Sequence, residues 1–121
     1  MAMATITEAR REYARYDTDV SATVTSPNMR MSVKMLSVSA GGALVRMDRL
    51  SSKVFEDDDF TLEIVGIGRF KVSKKWRRDT DLGCRFEVSD RDRMQLAERL
   101  ESRFGRARPQ RQLAAAHAGH P

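Results

Sequence analysis

The chain has few of the residues on which most enzyme and metal sites depend. Its 121 residues include one cysteine, Cys84, and two histidines, His117 and His120, both close to the C-terminus. One cysteine cannot form an internal disulfide, which is typical of a reducing compartment, and a zinc site would need more ligands than these. No histidine stands near a serine or Cys84 to activate a nucleophile, so we predict that the chain is not an enzyme.

Long apolar runs and a leader sequence are also lacking. No segment approaches the roughly 20 apolar residues that span a membrane. Residues 1–8 have neither the basic region nor the apolar region of a signal peptide. We therefore expect a cytoplasmic protein without membrane insertion, and a length of 121 residues predicts a single small domain.

The positive charge is concentrated in two short segments. The formal net charge is +5, from 22 basic and 17 acidic residues. Three arginines lie in residues 105–121, which contain no acid, and three more (Arg10, Arg11 and Arg15) lie close together near the N-terminus. Without these six arginines the chain is nearly neutral. This distribution favours a local anion site plus a basic tail over a broad nucleic-acid-binding face.

Alternating apolar and polar side chains predict about six strands followed by one helix. The alternation slips by one residue at Leu36, which predicts a β-bulge there. Glycine-rich or polar turns separate several strands, and an amphipathic helix follows Ser89, a predicted N-cap. The predicted strands cover about residues 17–25, 29–35, 43–47, 60–64, 70–77 and 82–88, and the apolar stripe of the helix holds Met94, Leu96, Ala97, Leu100 and Phe104.

This order of elements predicts a mainly β fold, a small six-stranded antiparallel β-barrel with one C-terminal α-helix. We assign residues 1–8 to a flexible arm, 9–104 to the barrel domain with its closing helix, and 105–121 to a disordered basic tail. Residues 48–59 are interpreted as a polar connection that ends in a solvated acidic run. Strand alternation places Trp76 in core or barrel-edge packing and makes Cys84 a buried, inert thiol.

Two short motifs stand about 20 residues apart. Arg11-Glu12-Tyr13-Ala14-Arg15, preceded by Arg10, has the form RxxxR, and Ser37-Val38-Ser39-Ala40-Gly41-Gly42 has the form SxSxxG. Residues i and i+2 of an extended chain share a face, so the two serine hydroxyls are expected side by side. Glycines beside them allow the backbone to bend or to approach a partner closely.

Together the motifs resemble those of the PilZ domain family, RxxxR followed by (Asp/Asn)xSxxG. The resemblance implies a six-stranded barrel with a C-terminal helix that acts as a receptor for the bacterial second messenger cyclic di-GMP. It makes Arg11 and Arg15 the motif arginines, Ser39 the motif serine and Gly42 the motif glycine. Ser37 stands where the family has Asp or Asn, and it cannot pair with two guanine donors as a carboxylate does.

The chemistry of these side chains suits such a ligand. A guanidinium binds phosphate oxygens with two parallel hydrogen bonds and also stacks on or grips a guanine. We expect Arg10, Arg11 and Arg15 to fold over a cyclic di-GMP molecule that rests on a floor formed by the second motif. The predicted ligand-binding set is Arg10, Arg11, Arg15, Ser37, Ser39, Gly41 and Gly42, with no metal and no other cofactor.

Three functions remain open from the sequence. The first is a cyclic di-GMP receptor or adaptor that signals through an unidentified protein effector. The second is a degenerate scaffold of the same family that binds proteins but no nucleotide, which the serine at position 37 favours. The third is a small barrel that binds single-stranded nucleic acid through basic strands and aromatic residues, although the nearly neutral body argues against it.

Overall fold

The structure, a computed structural model, describes residues 13–105. Arg10 and Arg11 lie outside the described residues, as do the predicted arm and the basic tail from residue 106 onward. The elements in chain order are β1 (Tyr16–Thr25), β2 (Arg30–Val38), β3 (Gly42–Arg46), α1 (Arg49–Val54), β4 (Asp59–Ile64), β5 (Gly68–Arg78), β6 (Asp81–Phe86) and α2 (Asp90–Leu100), which continues as a π-helical segment, Glu101–Gly105.

The six strands form a closed antiparallel barrel, which confirms the predicted fold. The strands follow one another in the order β1-β2-β3-β6-β5-β4, and β4 pairs with β1 to close the ring. Closure leaves no strand edge without a partner. Every second side chain points inward, so positions such as Val24, Val45 and Leu62 are fully buried.

Helix α2 lies across one end of the barrel. Leu96 and Leu100 are buried in the barrel core, and Arg99 Nη1 donates to the Ile67 carbonyl in the β4–β5 turn at 3.0 Å. The predicted apolar stripe is therefore correct for most of its length. Met94 is the exception, because it lies at the border of the stripe and is 57% exposed.

Two bulges set which side chains of β2 and β5 face outward. The predicted bulge at Leu36 is confirmed, since the pairing of β2 with β3 shifts between Met35 and Ser37. A second bulge in β5, between Lys74 and Trp76, is not evident in the sequence. It reverses the alternation, so Trp76 lies outside the barrel and is 48% exposed. The core packing predicted as one alternative for Trp76 is wrong for this reason.

The polar connection before β4 contains the short helix α1, which the sequence pattern did not predict. Asp48 caps its N-terminus by accepting a hydrogen bond from the Ser51 amide at 2.7 Å. Arg77 caps the other end by donating to the Phe55 carbonyl at 2.6 Å and to Ser52. No helix in residues 13–105 is long and apolar enough to span a membrane.

Candidate functional site

A surface groove of about 990 Å³ joins the two sequence motifs. Its floor is formed by the ends of β2 and β3, the connecting turn and the adjacent part of β6. The segment Tyr13–Arg15 lies along one side and the first turn of α2 lies along another. Of the predicted ligand-binding residues, the structure brings together Arg15, Ser37, Ser39, Gly41 and Gly42, and Arg10 and Arg11 lie outside its described range.

Hydrogen bonds fix the turn between β2 and β3. The amide of Ser39 donates to the Gly42 carbonyl at 2.8 Å, and the amide of Gly42 donates to the Ser39 carbonyl at 3.2 Å. The Ser39 hydroxyl accepts from the Gly41 amide at 3.1 Å, and Ser39 is 6% exposed. The Ser39 side chain therefore stabilises the turn and also reaches the floor of the groove.

The two glycines of the turn differ in what they require. Neither has a positive φ angle. A Cβ on Gly42 would lie 2.2 Å from the carbonyl oxygen of Cys84 on the paired strand, whereas a Cβ on Gly41 would lie 3.6 Å from the Ser39 hydroxyl. Only Gly42 is thus fixed as glycine by close backbone approach, and this is the position of the family's glycine.

Arg15 spans the two serine hydroxyls. Its Nη1 donates to Ser37 Oγ at 2.9 Å, and its Nη2 donates to Ser39 Oγ at 3.5 Å. The expectation that these hydroxyls lie side by side is therefore confirmed. Arg15 is exposed, and it enters the groove from an irregular segment before β1.

Sequence reasoning missed Arg93, which ties α2 to the turn. Its Nη1 donates to the Ala40 carbonyl at 2.9 Å, and its Nη2 donates to the carbonyls of Phe86 and Val88 at 3.1 and 3.3 Å. A helix pattern alone gives no sign that an arginine on its polar side bonds to a turn 53 residues earlier. The only feature of the sequence that could have pointed to this contact is the position of Arg93, three residues after the start of α2.

The rest of the groove is basic and partly apolar. Trp76, the only tryptophan of the chain, covers Gly83, where a Cβ would lie 2.3 Å from the indole Nε1. Lys75 and Arg85 add positive charge, and Met94 adds an exposed apolar side chain. The groove therefore combines cationic and flat apolar surfaces. Both kinds of surface suit a ligand that carries phosphates and bases.

Beneath the groove, Cys84 is a buried thiol, as predicted. Its side chain is 4% exposed, and Sγ lies 3.5 Å from the Ala43 carbonyl. Burial raises the pKa of the thiol to about 12. No cluster of potential metal ligands occurs within residues 13–105.

The fold and groove define a small helix-closed antiparallel β-barrel with an arginine and two serines on its surface. The chain belongs to the PilZ domain family, because the family model matches residues 9–102. The predicted family resemblance is therefore confirmed. A comparison with curated proteins finds no match.

Solved structures share the fold at low sequence identity. The PilZ domain of Escherichia coli YcgR with c-di-GMP is 16% identical, with a TM-score of 0.59 over 85% of this chain and 97% of that one. The PilZ domain of CeSA from a cellulose-synthesizing bacterium is 14% identical, with a TM-score of 0.58 over 72% and 93%. A Legionella protein is 17% identical, with a TM-score of 0.52 over 83% and 99%.

Proposed function

We propose that this chain is a cyclic di-GMP receptor that signals through a protein effector. The observation that carries the proposal is the contact of Arg15 with Ser37 and Ser39 in one groove. Family membership supports it, as does the c-di-GMP found with the PilZ domain of YcgR.

Each part of the groove has a separate task in this proposal. Arg15 binds a phosphate of the ligand through its guanidinium, and Lys75 and Arg85 add positive charge nearby. The Ser39–Gly42 turn supplies a rigid floor. Arg10 and Arg11, which precede the described residues, complete the cluster of guanidinium groups and contact the bases or the second phosphate.

Ser37 makes the proposed affinity lower than that of a site with Asp or Asn. Its hydroxyl already accepts a hydrogen bond from Arg15, and it cannot accept both guanine donors at once. The missing contact costs about 1–3 kcal/mol, which corresponds to roughly ten- to a hundredfold in affinity. Ser37→Asp should therefore tighten binding of cyclic di-GMP, and an unchanged or weaker affinity would contradict this account.

Titration of the full chain with cyclic di-GMP tests the proposal. Trp76 lies in the groove, so its fluorescence gives a second readout besides calorimetric heat. We expect Arg15→Ala to weaken binding by about tenfold or more, because a charge-assisted pair is lost. Arg30→Ala is the matched control, since Arg30 is also exposed but lies at the opposite end of β2. The absence of both heat and a fluorescence change in the unmodified chain would overturn the proposal.

The second candidate is a scaffold that binds an effector without nucleotide. The serine at position 37 favours it, because the guanine-pairing carboxylate is absent from the motif. In this case Arg15→Ala would leave cellular function intact, whereas changes to the outer strand surface would abolish it. Salt-sensitive binding of generic oligonucleotides without competition from cyclic di-GMP would instead support a nucleic-acid-binding barrel.

A further inference from the structure

The groove contains one acidic side chain among several basic ones. Of the described residues that line it, four are basic (Arg15, Lys75, Arg85 and Arg93), and Asp90 alone is acidic. A carboxylate is unfavourable next to a phosphate, so its presence in a groove for a dinucleotide calls for another partner. Guanine has such a partner, because N1–H and N2–H₂ are adjacent donors on one edge of the base.

Asp90 lines the same groove as the Ser39–Gly42 turn. It is the first residue of α2, and Arg93 follows three positions later on the same helix face. The bond from Arg93 to the Ala40 carbonyl places this face against the turn. Asp90 therefore lines the groove from α2, and Arg15 lines it from the segment before β1.

The Asp90 carboxylate is available for a ligand. The side chain is exposed, and within residues 13–105 it takes part in no ion pair or side-chain hydrogen bond. The N-terminus of α2 is capped by Ser89, whose hydroxyl accepts from the Asp92 amide at 3.1 Å. Asp90 is thus not needed as the cap of this helix.

From these observations we infer that Asp90 reads the guanine of the ligand and partly replaces the carboxylate that position 37 lacks, so that a carboxylate at position 37 would still tighten binding. This inference rests on the proposed function. Two carboxylate oxygens accept the N1–H and N2–H₂ donors together. Adenine presents an acceptor at N1 and no amino group at position 2, so Asp90 selects a guanine over an adenine cyclic dinucleotide.

Substitution by asparagine separates this role from general charge effects. Asp90→Asn should weaken binding of cyclic di-GMP by about tenfold, because a charge-assisted bidentate contact is lost. Binding of cyclic di-AMP should be no weaker, since an amide offers adenine both a donor and an acceptor. The measurement is a pair of titrations at one fixed salt concentration, followed by Trp76 fluorescence and calorimetry.

Asp92→Asn is the matched control. Asp92 has the same charge in the same first turn of α2, so it has the same effect on the helix dipole, but it lines a different surface depression. We expect it to leave both affinities unchanged. Equal losses in the two variants, or tighter binding of both ligands by Asp90→Asn, would overturn the inference.

A second substitution tests the compensation directly. If Asp90 replaces the missing motif carboxylate, it should become dispensable once Ser37→Asp restores that carboxylate. In the Ser37→Asp background, Asp90→Asn should therefore weaken binding of cyclic di-GMP by roughly threefold or less, because the effects of residues that share one partner are not additive. An undiminished cost would contradict the shared role. If the unmodified chain binds no cyclic di-GMP, the proposed function fails and this inference with it. If it binds and Asp90→Asn keeps the preference for guanine, only the inference is wrong.

Discussion

The RxxxR motif and the SxSxxG motif each supply one side of the groove, and different contacts hold these two sides in place. The Ser39–Gly42 turn is fixed by backbone hydrogen bonds and by the guanidinium of Arg93. The segment Tyr13–Arg15 belongs to no strand, and the exposed Arg15 is held by two side-chain hydrogen bonds. A preformed floor lowers the ordering cost of binding, and an exposed arginine remains free to adjust to its ligand. Four measurements test this difference.

The reactivity of Cys84, which lies below the turn, should differ greatly between the folded and the unfolded chain. Its side chain is 4% exposed and burial raises the pKa of the thiol to about 12, so the native thiol at pH 8 should be alkylated at least about a hundredfold more slowly than in the unfolded chain. The measurement is the rate of iodoacetamide labelling with and without urea. A native rate within tenfold of the unfolded rate would show that the floor opens readily.

Gly42→Ala should cause the largest loss of stability. Its Cβ would collide with the Cys84 carbonyl, and we expect the free energy of unfolding to fall by about 3 kcal/mol. Gly41→Ala is the control, with an expected change within about 0.5 kcal/mol, since its Cβ meets only an ordinary contact. Urea denaturation of both variants measures the difference, and equal values would disprove the distinction between the two glycines.

Arg93→Ala should lower the free energy of unfolding by about 2 kcal/mol, because three carbonyls lose a charged donor. The neighbouring Arg91→Ala provides the comparison, since Arg91 is exposed. Hydrogen exchange of the Gly42 amide should also accelerate in Arg93→Ala alone. An unchanged exchange rate of the Gly42 amide would mean that the turn keeps its structure without the contact from α2.

Arg15→Ala should have the smallest effect on stability, within about 0.5 kcal/mol, because its contact with Ser37 is exposed to water and its contact with Ser39 is long, at 3.5 Å. Thermal or urea denaturation measures it. A loss comparable to that of Arg93→Ala would mean that the contacts of Arg15 contribute as much to the free energy of unfolding as those that hold the floor. The difference between the two sides would then disappear.

Strand alternation predicts most of the barrel from the sequence, including the bulge at Leu36, because one-sided burial imposes a period of two. It fails at Trp76, since nothing in the pattern of β5 marks the bulge before this residue. It also misses α1, where Asp48 and Ser51 provide a capping signal but no apolar stripe follows. The propensity of single residues cannot detect such features when tertiary contacts decide them.

For the site, the motifs predict which residues meet but not what supports them. The contact of Arg15 with the serines follows from the combination of RxxxR and SxSxxG. Arg93 and Asp90 are absent from both motifs, because their roles depend on how α2 crosses the end of the barrel. That crossing is set by the burial of Leu96 and Leu100, which is a property of the whole fold.

The contact between Tyr16 and Glu101 has a consequence for synthesis of the chain. The Tyr16 hydroxyl donates to Glu101 Oε1 at 2.5 Å across 85 residues, and Tyr16 directly follows the motif arginine. The floor likewise depends on Arg93. Both motifs are translated before these supports, which are among the last described residues of the chain. The groove of a nascent chain is therefore complete only after α2 has been translated.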